Sequence, residues 1–266
     1  MPLVVLPEVH CIAIEGPDAR RFAQAQFSGD VESLAQGRWQ WNAWLDARGR
    51  VQALMQLGRV GEDRYLAILR GGDAERLRAD LGRYLLRSKA RVTARVFSGI
   101  AGDAVPAGQV DADAQGEIVF GYGNRSLRLE SFGRHADAEA SNAWRLADIR
   151  AGWPTLPAGD ELFLPPALGL ERLGAVSFDK GCYPGQEIVA RLHYRGGHKF
   201  GLCQLRGPNW LEPGGTFDAG DTDPVRVLDC AIADGSVEAL AVISKSQSST
   251  ISILDHKFDV VSRYNA

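Results

Sequence analysis

The sequence predicts an α+β protein of two or three domains that ends in a small all-β barrel. Three observations carry this expectation. The chain has 266 residues, 45% of them hydrophobic, enough to bury more than one core. A β-β-α-β run can be read between Val51 and Val96. After Gly196-Gly197 the apolar residues fall into short stretches separated by turns, as in a compact all-β unit.

Taken in order, His10 to Ile14 reads as a strand, and Gly16-Pro17-Asp18 turns into a helix carrying Phe22, Gln26 and Phe27. Trp39 and Trp41 share one side of a strand, with Trp44 past its end. Val51, Ala53, Met55 and Leu57 alternate as a strand, Gly61-Glu62-Asp63 turns, and Tyr65 to Leu69 returns as a hairpin partner. Asp73 is placed to cap the next helix, whose apolar stripe is Leu77, Leu81, Tyr84 and Leu85, and Val92, Ala94 and Val96 make another strand.

Gly99 to Gly116 reads as a loose connection, followed by a second hairpin of Ile118 to Phe120 with Leu127 to Phe132 that rejoins the first sheet. A helix from Ala138 carries Ala140, Trp144, Ala147 and Ala151 on one face until Gly152-Trp153-Pro154 stops it. Prolines and glycines crowd Pro157 to Phe178, which predicts loops with one short helix. The barrel strands are expected at Phe200 to Leu205, Val225 to Ile232, Val237 to Ile243, Ile251 to Leu254 and Phe258 to Val261.

Composition excludes several function classes. Thirty basic and thirty-three acidic residues leave a net charge of -3 with no basic run, so direct nucleic-acid binding is not expected. The start, Met1 to Pro7, lacks a positive n-region, and no stretch approaches the roughly 20 apolar residues of a membrane span. The expectation is a cytoplasmic protein with no membrane partner. Cys11, Cys182, Cys203 and Cys230 show no paired spacing, so neither a metal site nor a disulfide framework is expected.

The chemistry concentrates in Lys180-Gly181-Cys182-Tyr183-Pro184-Gly185-Gln186-Glu187. Pro184 suits a first helical position, and Ile188, Val189 and Leu192 follow at helical spacing. Cys182 would then precede a helix start. The unpaired N–H groups there and the Lys180 ammonium both favour thiolate, lowering a cysteine pKa from roughly 8.5. Gly181 and Gly185 permit positive φ and close approach. The competing reading makes Cys182 a small buried hydrophobe and the glycines mere loop formers.

These eight residues, continuing as Ile188-Val-Ala-Arg191, resemble the signature of the YgfZ family, folate-binding proteins related to the glycine-cleavage aminomethyltransferase and linked to synthesis and repair of iron-sulfur clusters. Gly16-Pro-Asp18 with Phe22-Ala-Gln-Ala-Gln26 and Asp30-Val31 is similar to the N-terminal block shared by both groups, and Leu45-Asp-Ala-Arg-Gly-Arg-Val51 to their next block. The resemblance implies an α+β fold in which three domains form an aminomethyltransferase-like ring. Residues 1–45 and 110–196 would make a discontinuous folate-binding domain, 46–109 a ferredoxin-like β-β-α-β inserted domain, and 197–266 the small C-terminal β-barrel.

By the same resemblance the cofactor is tetrahydrofolate or a one-carbon derivative, and the partners are iron-sulfur client proteins or their assembly machinery. Clients in the family include radical enzymes that modify tRNA, so support of tRNA modification would be indirect. One cysteine cannot complete a four-thiolate cluster shell, so stable cluster binding would need ligands from a partner. Cys182 and Lys180 would be the reactive pair, and Trp144, Tyr183, Gly185, Gln186, Glu187 and Arg191 the folate-binding set.

A folate needs stacking for its pterin and cations for its glutamate tail. Trp144 offers an indole face, though a tryptophan beside alanines on a helix also suits a core. Arg150 and Arg191 are cations for the tail, or solvated surface groups. Glu187 can hold the pterin edge, move a proton, or simply favour its helix N-terminus. His193 lies about three helical turns from Cys182, too far for a Cys-His dyad. The aminomethyltransferases carry an acidic pair where this chain has Gln52 and Ala53, and a glutamate where it has Arg150. Transfer of a one-carbon unit needs carboxylates to handle protons, so folate binding survives these departures better than an aminomethyltransferase or demethylase activity on a small amine.

Overall fold

The computed structural model describes residues 4–113, 116–131, 135–158, 163–220 and 223–264. Two compact units form, one of Met1–Leu45, Gln52–Ser141 and Gly174–Pro184, the other of Asp46–Val51, Asn142–Leu173 and Gly185–Ala266.

The first unit is built on strands β1 (Val4–Glu15), β2 (Trp39–Leu45), β3 (Val51–Gly61), β4 (Arg64–Leu69), β5 (Arg91–Gly102), β6 (Val110–Ala112), β7 (Ile118–Gly121) and β8 (Ser126–Glu130), with helices α1 (Ala19–Gln26) and α2 (Ala74–Gly82). The strands form one sheet in the order β2-β3-β4-β1-β5-β8-β7-β6. The β-β-α-β run is present as β3, β4, α2 and β5. Its last strand, β5, does not pair with the β3–β4 hairpin, because β1 lies between β4 and β5, with Cys11 opposite Ile68 on one side and Arg95 on the other. Cys11, Ile12, Ala13 and Ile14 are all buried, so this stretch has no solvent face and suits a central strand. The register of β1 against β5 shifts between Leu6 and Glu8, at Pro7, which has no N–H to give a ladder.

Ile12 and Ile14 of β1, Met55 and Leu57 of β3, and Tyr65, Ala67 and Leu69 of β4 share a core with Phe22 and Phe27 from α1 and its end, and with Leu77 and Leu81 of α2. Asp73 caps α2 as its sequence position suggests, accepting from the backbone N–H groups of Glu75 (2.7 Å) and Arg76 (3.0 Å).

Four local expectations need correction. The helix α2 ends at Gly82, a poor helix former, so Tyr84 and Leu85 lie past it; Tyr84 is 51% exposed, while Leu85 still packs against the core that holds Leu77 and Leu81. Trp44 is inside β2, not past its end, because a bridge from Phe27 extends the pairing there. The stretch from Gly99 to Gly116 is not wholly loose, since β5 runs on to Gly102 against β8, and β6 pairs with β7. Pro184 is not a first helical residue, because the helix after it begins only at Gln186. Phe132, expected in the second hairpin, lies outside the described residues, as do residues 159–162 of the breaker-rich segment.

In the second unit, a 3₁₀ turn at Pro165–Leu168, the part of α3 (Ala138–Ala151) from Asn142 onward and the helix α4 (Gln186–Arg195) accompany a six-stranded antiparallel sheet. Its strands are β9 (Phe200–Gly207), β10 (Thr216–Phe217), β11 (Val225–Ala233), β12 (Ser236–Ser244), β13 (Thr250–Ile253) and β14 (His256–Arg263), in the order β10-β11-β12-β9-β14-β13. Leu205, Val227, Ala241, Ile243, Ile253 and Phe258 belong to its core. Leu254 and Asp255, at φ 50° and 62°, close the β13–β14 hairpin as a two-residue turn whose twist matches its strands. No helix among the described residues is long and apolar enough to cross a membrane.

Candidate functional site

In the first unit the segment Gly174–Pro184 is tied down before it reaches the cysteine. Ser28 Oγ donates to the carbonyl of Ala175 at 2.7 Å, and the Ser177 N–H donates to the carbonyl of Ser28 at 2.8 Å. Lys180 then donates from Nζ to three carbonyls, those of Gln24 (2.6 Å), Phe27 (2.5 Å) and Gly29 (3.0 Å). Gln24 and Phe27 stand at the end of α1, where helical carbonyls lack intrahelical partners and a cation is favoured by the helix dipole. Burial lowers the Lys180 pKa to about 8, opposed by the nearby charges of Asp30 and Glu32. An ammonium has three N–H donors, and all three are used here. Lys180 therefore has no N–H left for the Cys182 sulfur and can act on it only through its charge.

Tyr183 is the second anchor. Its side chain is buried, its hydroxyl donates to the Ser177 carbonyl at 3.3 Å, and its ring centroid lies 5.1 Å from Lys180 Nζ, a cation–π distance. Between these two held residues Gly181 and Cys182 are both exposed. The other three cysteines are buried. Burial raises the Cys11 and Cys230 thiols and pushes Cys203 up to about 12, so none of the three ionises readily. The reading of Cys182 as a buried hydrophobe does not hold.

The remaining residues of the signature belong to the second unit. Gly185 caps α4 with φ 77°, and the helix begins at Gln186, so Pro184 stands two residues before it and Cys182 four. The displacement of Pro184 from the helix start has a steric cause. A Cβ on Gly185 would come within 2.7 Å of the Gly49 Cα, so the chain turns there on a residue with no side chain, in a conformation that proline cannot adopt. Gly49 sits in the tight turn of the Leu45-to-Val51 block. Asp46 organises that turn, accepting at Oδ1 from the N–H groups of Arg48 and Arg50 (2.9 Å each) and at Oδ2 from Arg50 Nε (2.7 Å). Burial works against ionisation of Asp46, but these hydrogen bonds outweigh it and lower the pKa. Gly49 and Gly185 belong to motif blocks far apart in the chain, and only the fold brings them into contact.

Gln186 and Glu187 form the first turn of α4, with Glu187 and Arg191 exposed. His193 Nδ1 lies 3.0 Å from a carboxylate oxygen of Glu171, an acid of its own unit. Trp144 is partly buried on α3. The residues flanking it are tied to β11: Asn142 exchanges two hydrogen bonds with the backbone of Ile232 (2.8 Å each), and Arg145 reaches the Cys230 carbonyl at 3.3 Å and Asp229 at 3.3 Å. Arg150, further along α3, is paired with Glu238 of β12.

No protein-family model matches the chain. Among solved structures, the glycine cleavage system aminomethyltransferase T from Bartonella henselae aligns with a TM-score of 0.76 at 16% identity, over 98% of this chain and 84% of that one. The fold is aminomethyltransferase-like.

Within that fold the sequence-predicted residues fall into two sets. Cys182, Lys180 and Tyr183 share one anchored segment of the first unit, while Trp144, Gly185, Gln186, Glu187 and Arg191 lie in the second. Sequence reasoning passes over Glu238. This carboxylate has no exposed side-chain surface and accepts from Arg150, Arg206 and Gln204. Its one signal is a lone charge inside an otherwise apolar strand, Val237 to Ile243.

Proposed function

We propose that this protein binds tetrahydrofolate or a one-carbon derivative and acts in the synthesis or repair of iron-sulfur clusters in client enzymes, with Cys182 as its reactive or cluster-contacting thiol. The observation that carries this reading is the presentation of Cys182. It is the exposed cysteine of the chain, set between a buried tyrosine and a lysine held by three carbonyls, within the eight residues that resemble the YgfZ signature. An aminomethyltransferase-like fold is consistent with a folate ligand. In this reading Trp144 supplies a stacking face, Gln186 and Glu187 hydrogen-bonding groups, and Arg191 a cation for the glutamate tail. The three-domain ring belongs to the same proposal.

Calorimetric titration with tetrahydrofolate tests the ligand. The native chain should release heat and Trp144→Ala should weaken binding, whereas no heat from either removes the ligand. Replacement of the gene by a Cys182→Ser version tests the role, with loss of cellular iron-sulfur enzyme activity expected and unchanged activity counting against it.

A folate-dependent aminomethyltransferase or demethylase is the second reading, favoured by the fold alone. Against it, Gln52 and Ala53 carry no acid, and Arg150 places a guanidinium, already paired with Glu238, where the aminomethyltransferases carry a glutamate. Turnover of an aminomethyl donor with tetrahydrofolate would support this reading.

A further inference from the structure

In the first unit, α1 and the segment after α2 enclose a cleft of about 330 Å³, within the size range of small-molecule sites. One wall is a stripe of α1, with Arg21, Phe22 and Gln26 on the side that also holds Asp18, and the other wall includes Tyr84 and Arg87. Gln26 is 9% exposed and its Oε1 is buried without a hydrogen-bond partner, an acceptor that a bound donor would satisfy. Arg21 and Arg87 bring two positive charges to the same cleft. The acidic group of the lining, Asp18, is turned onto the backbone N–H of Lys89 at 2.6 Å. Phe22 and Tyr84 add aromatic surface, and Arg87 holds a φ of 61°, uncommon for a residue with a side chain.

We propose that this cleft binds a small aromatic carboxylate that also carries an N–H or O–H donor. The carboxylate pairs with Arg21 and Arg87, the ring lies against Phe22 and Tyr84, and the donor reaches Gln26 Oε1. The site is separate from the folate reading, since none of its residues belongs to the folate-binding set.

The probe is 4-hydroxybenzoate, titrated into the full chain by calorimetry and by ligand-observed NMR, beside benzoate, which lacks the donor, and phenol, which lacks the anion. Saturable binding of 4-hydroxybenzoate is expected, with both comparison compounds weaker by about tenfold. Arg87→Gly, which suits the positive φ and removes the guanidinium, and Gln26→Leu should each weaken binding by about tenfold while the far-ultraviolet circular dichroism stays native. Arg21→Ala, at an exposed helical position, serves as a second test of the anion contact. Absence of saturable binding at millimolar concentration, or equal binding by the native chain and all three variants, overturns the proposal.

Discussion

Arg150 grips Glu238 with both arms of its guanidinium, Nε to one carboxylate oxygen at 3.0 Å and Nη2 to the other at 2.9 Å, joining α3 to β12. The carboxylate is fully buried while half of the Arg150 side chain is exposed. Arg206 (2.8 Å) and Gln204 (2.7 Å) supply further donors, so the buried charge is compensated.

Glu238→Ala should cost about 2 to 3 kcal/mol of stability, because it removes several charge-assisted bonds but releases arginines that can reach water. Arg150→Ala should cost less, since Arg206 and Gln204 still satisfy the carboxylate. Chemical denaturation of the two variants checks the order.

The same carboxylate sets an acid response. The hydrogen bond from Arg150 leads, burial opposes it, and Arg206 adds to it, holding the Glu238 pKa at about 2 against an ordinary 4.5. A depressed carboxyl pKa contributes stability that is present above about 4.5 and lost as pH falls toward about 2. Unfolding free energy measured across this window should fall less steeply for Glu238→Gln than for the native chain. Equal slopes would remove Glu238 from the acid limb.

Cys182 should be the first thiol to react with iodoacetamide under native conditions, with Cys11, Cys203 and Cys230 labelled only after unfolding, because burial both hides them and keeps them protonated. Mass mapping reads the result. Native labelling of any buried thiol at a comparable rate would contradict the structure.

Lys180→Met keeps the length of the side chain and deletes its three bonds to the end of α1 and the turn beyond it. Faster hydrogen exchange in α1 and a stability loss of about 2 kcal/mol are expected. Unchanged exchange would mean that the helix end does not depend on the ammonium.

Gly185→Ala adds a Cβ within 2.7 Å of the Gly49 Cα at a φ of 77°. A loss of at least about 1 kcal/mol is expected from the backbone conformation alone, and more from the collision. A thermal melt at the native midpoint would show that the two glycines have room to separate.

The strands and helices are largely legible in the sequence because apolar periodicity is a local property. The alternation of Val51, Ala53, Met55 and Leu57 predicts β3, and Asp73 predicts the start of α2. The importance of Cys182 is legible too, through its neighbours. Their roles are less so. The position of Lys180 suggests action on the sulfur two residues away, yet its bonds go to residues more than 150 positions earlier.

By itself the sequence determined the element types, the polar and apolar faces and the one segment worth chemical attention, since each follows from neighbouring residues. Only the tertiary structure decided that β1 runs between β4 and β5, that Gly49 meets Gly185, and that Arg150 finds Glu238. These are pairings between distant parts of the chain, and they depend on how whole faces fit together, which no local pattern encodes.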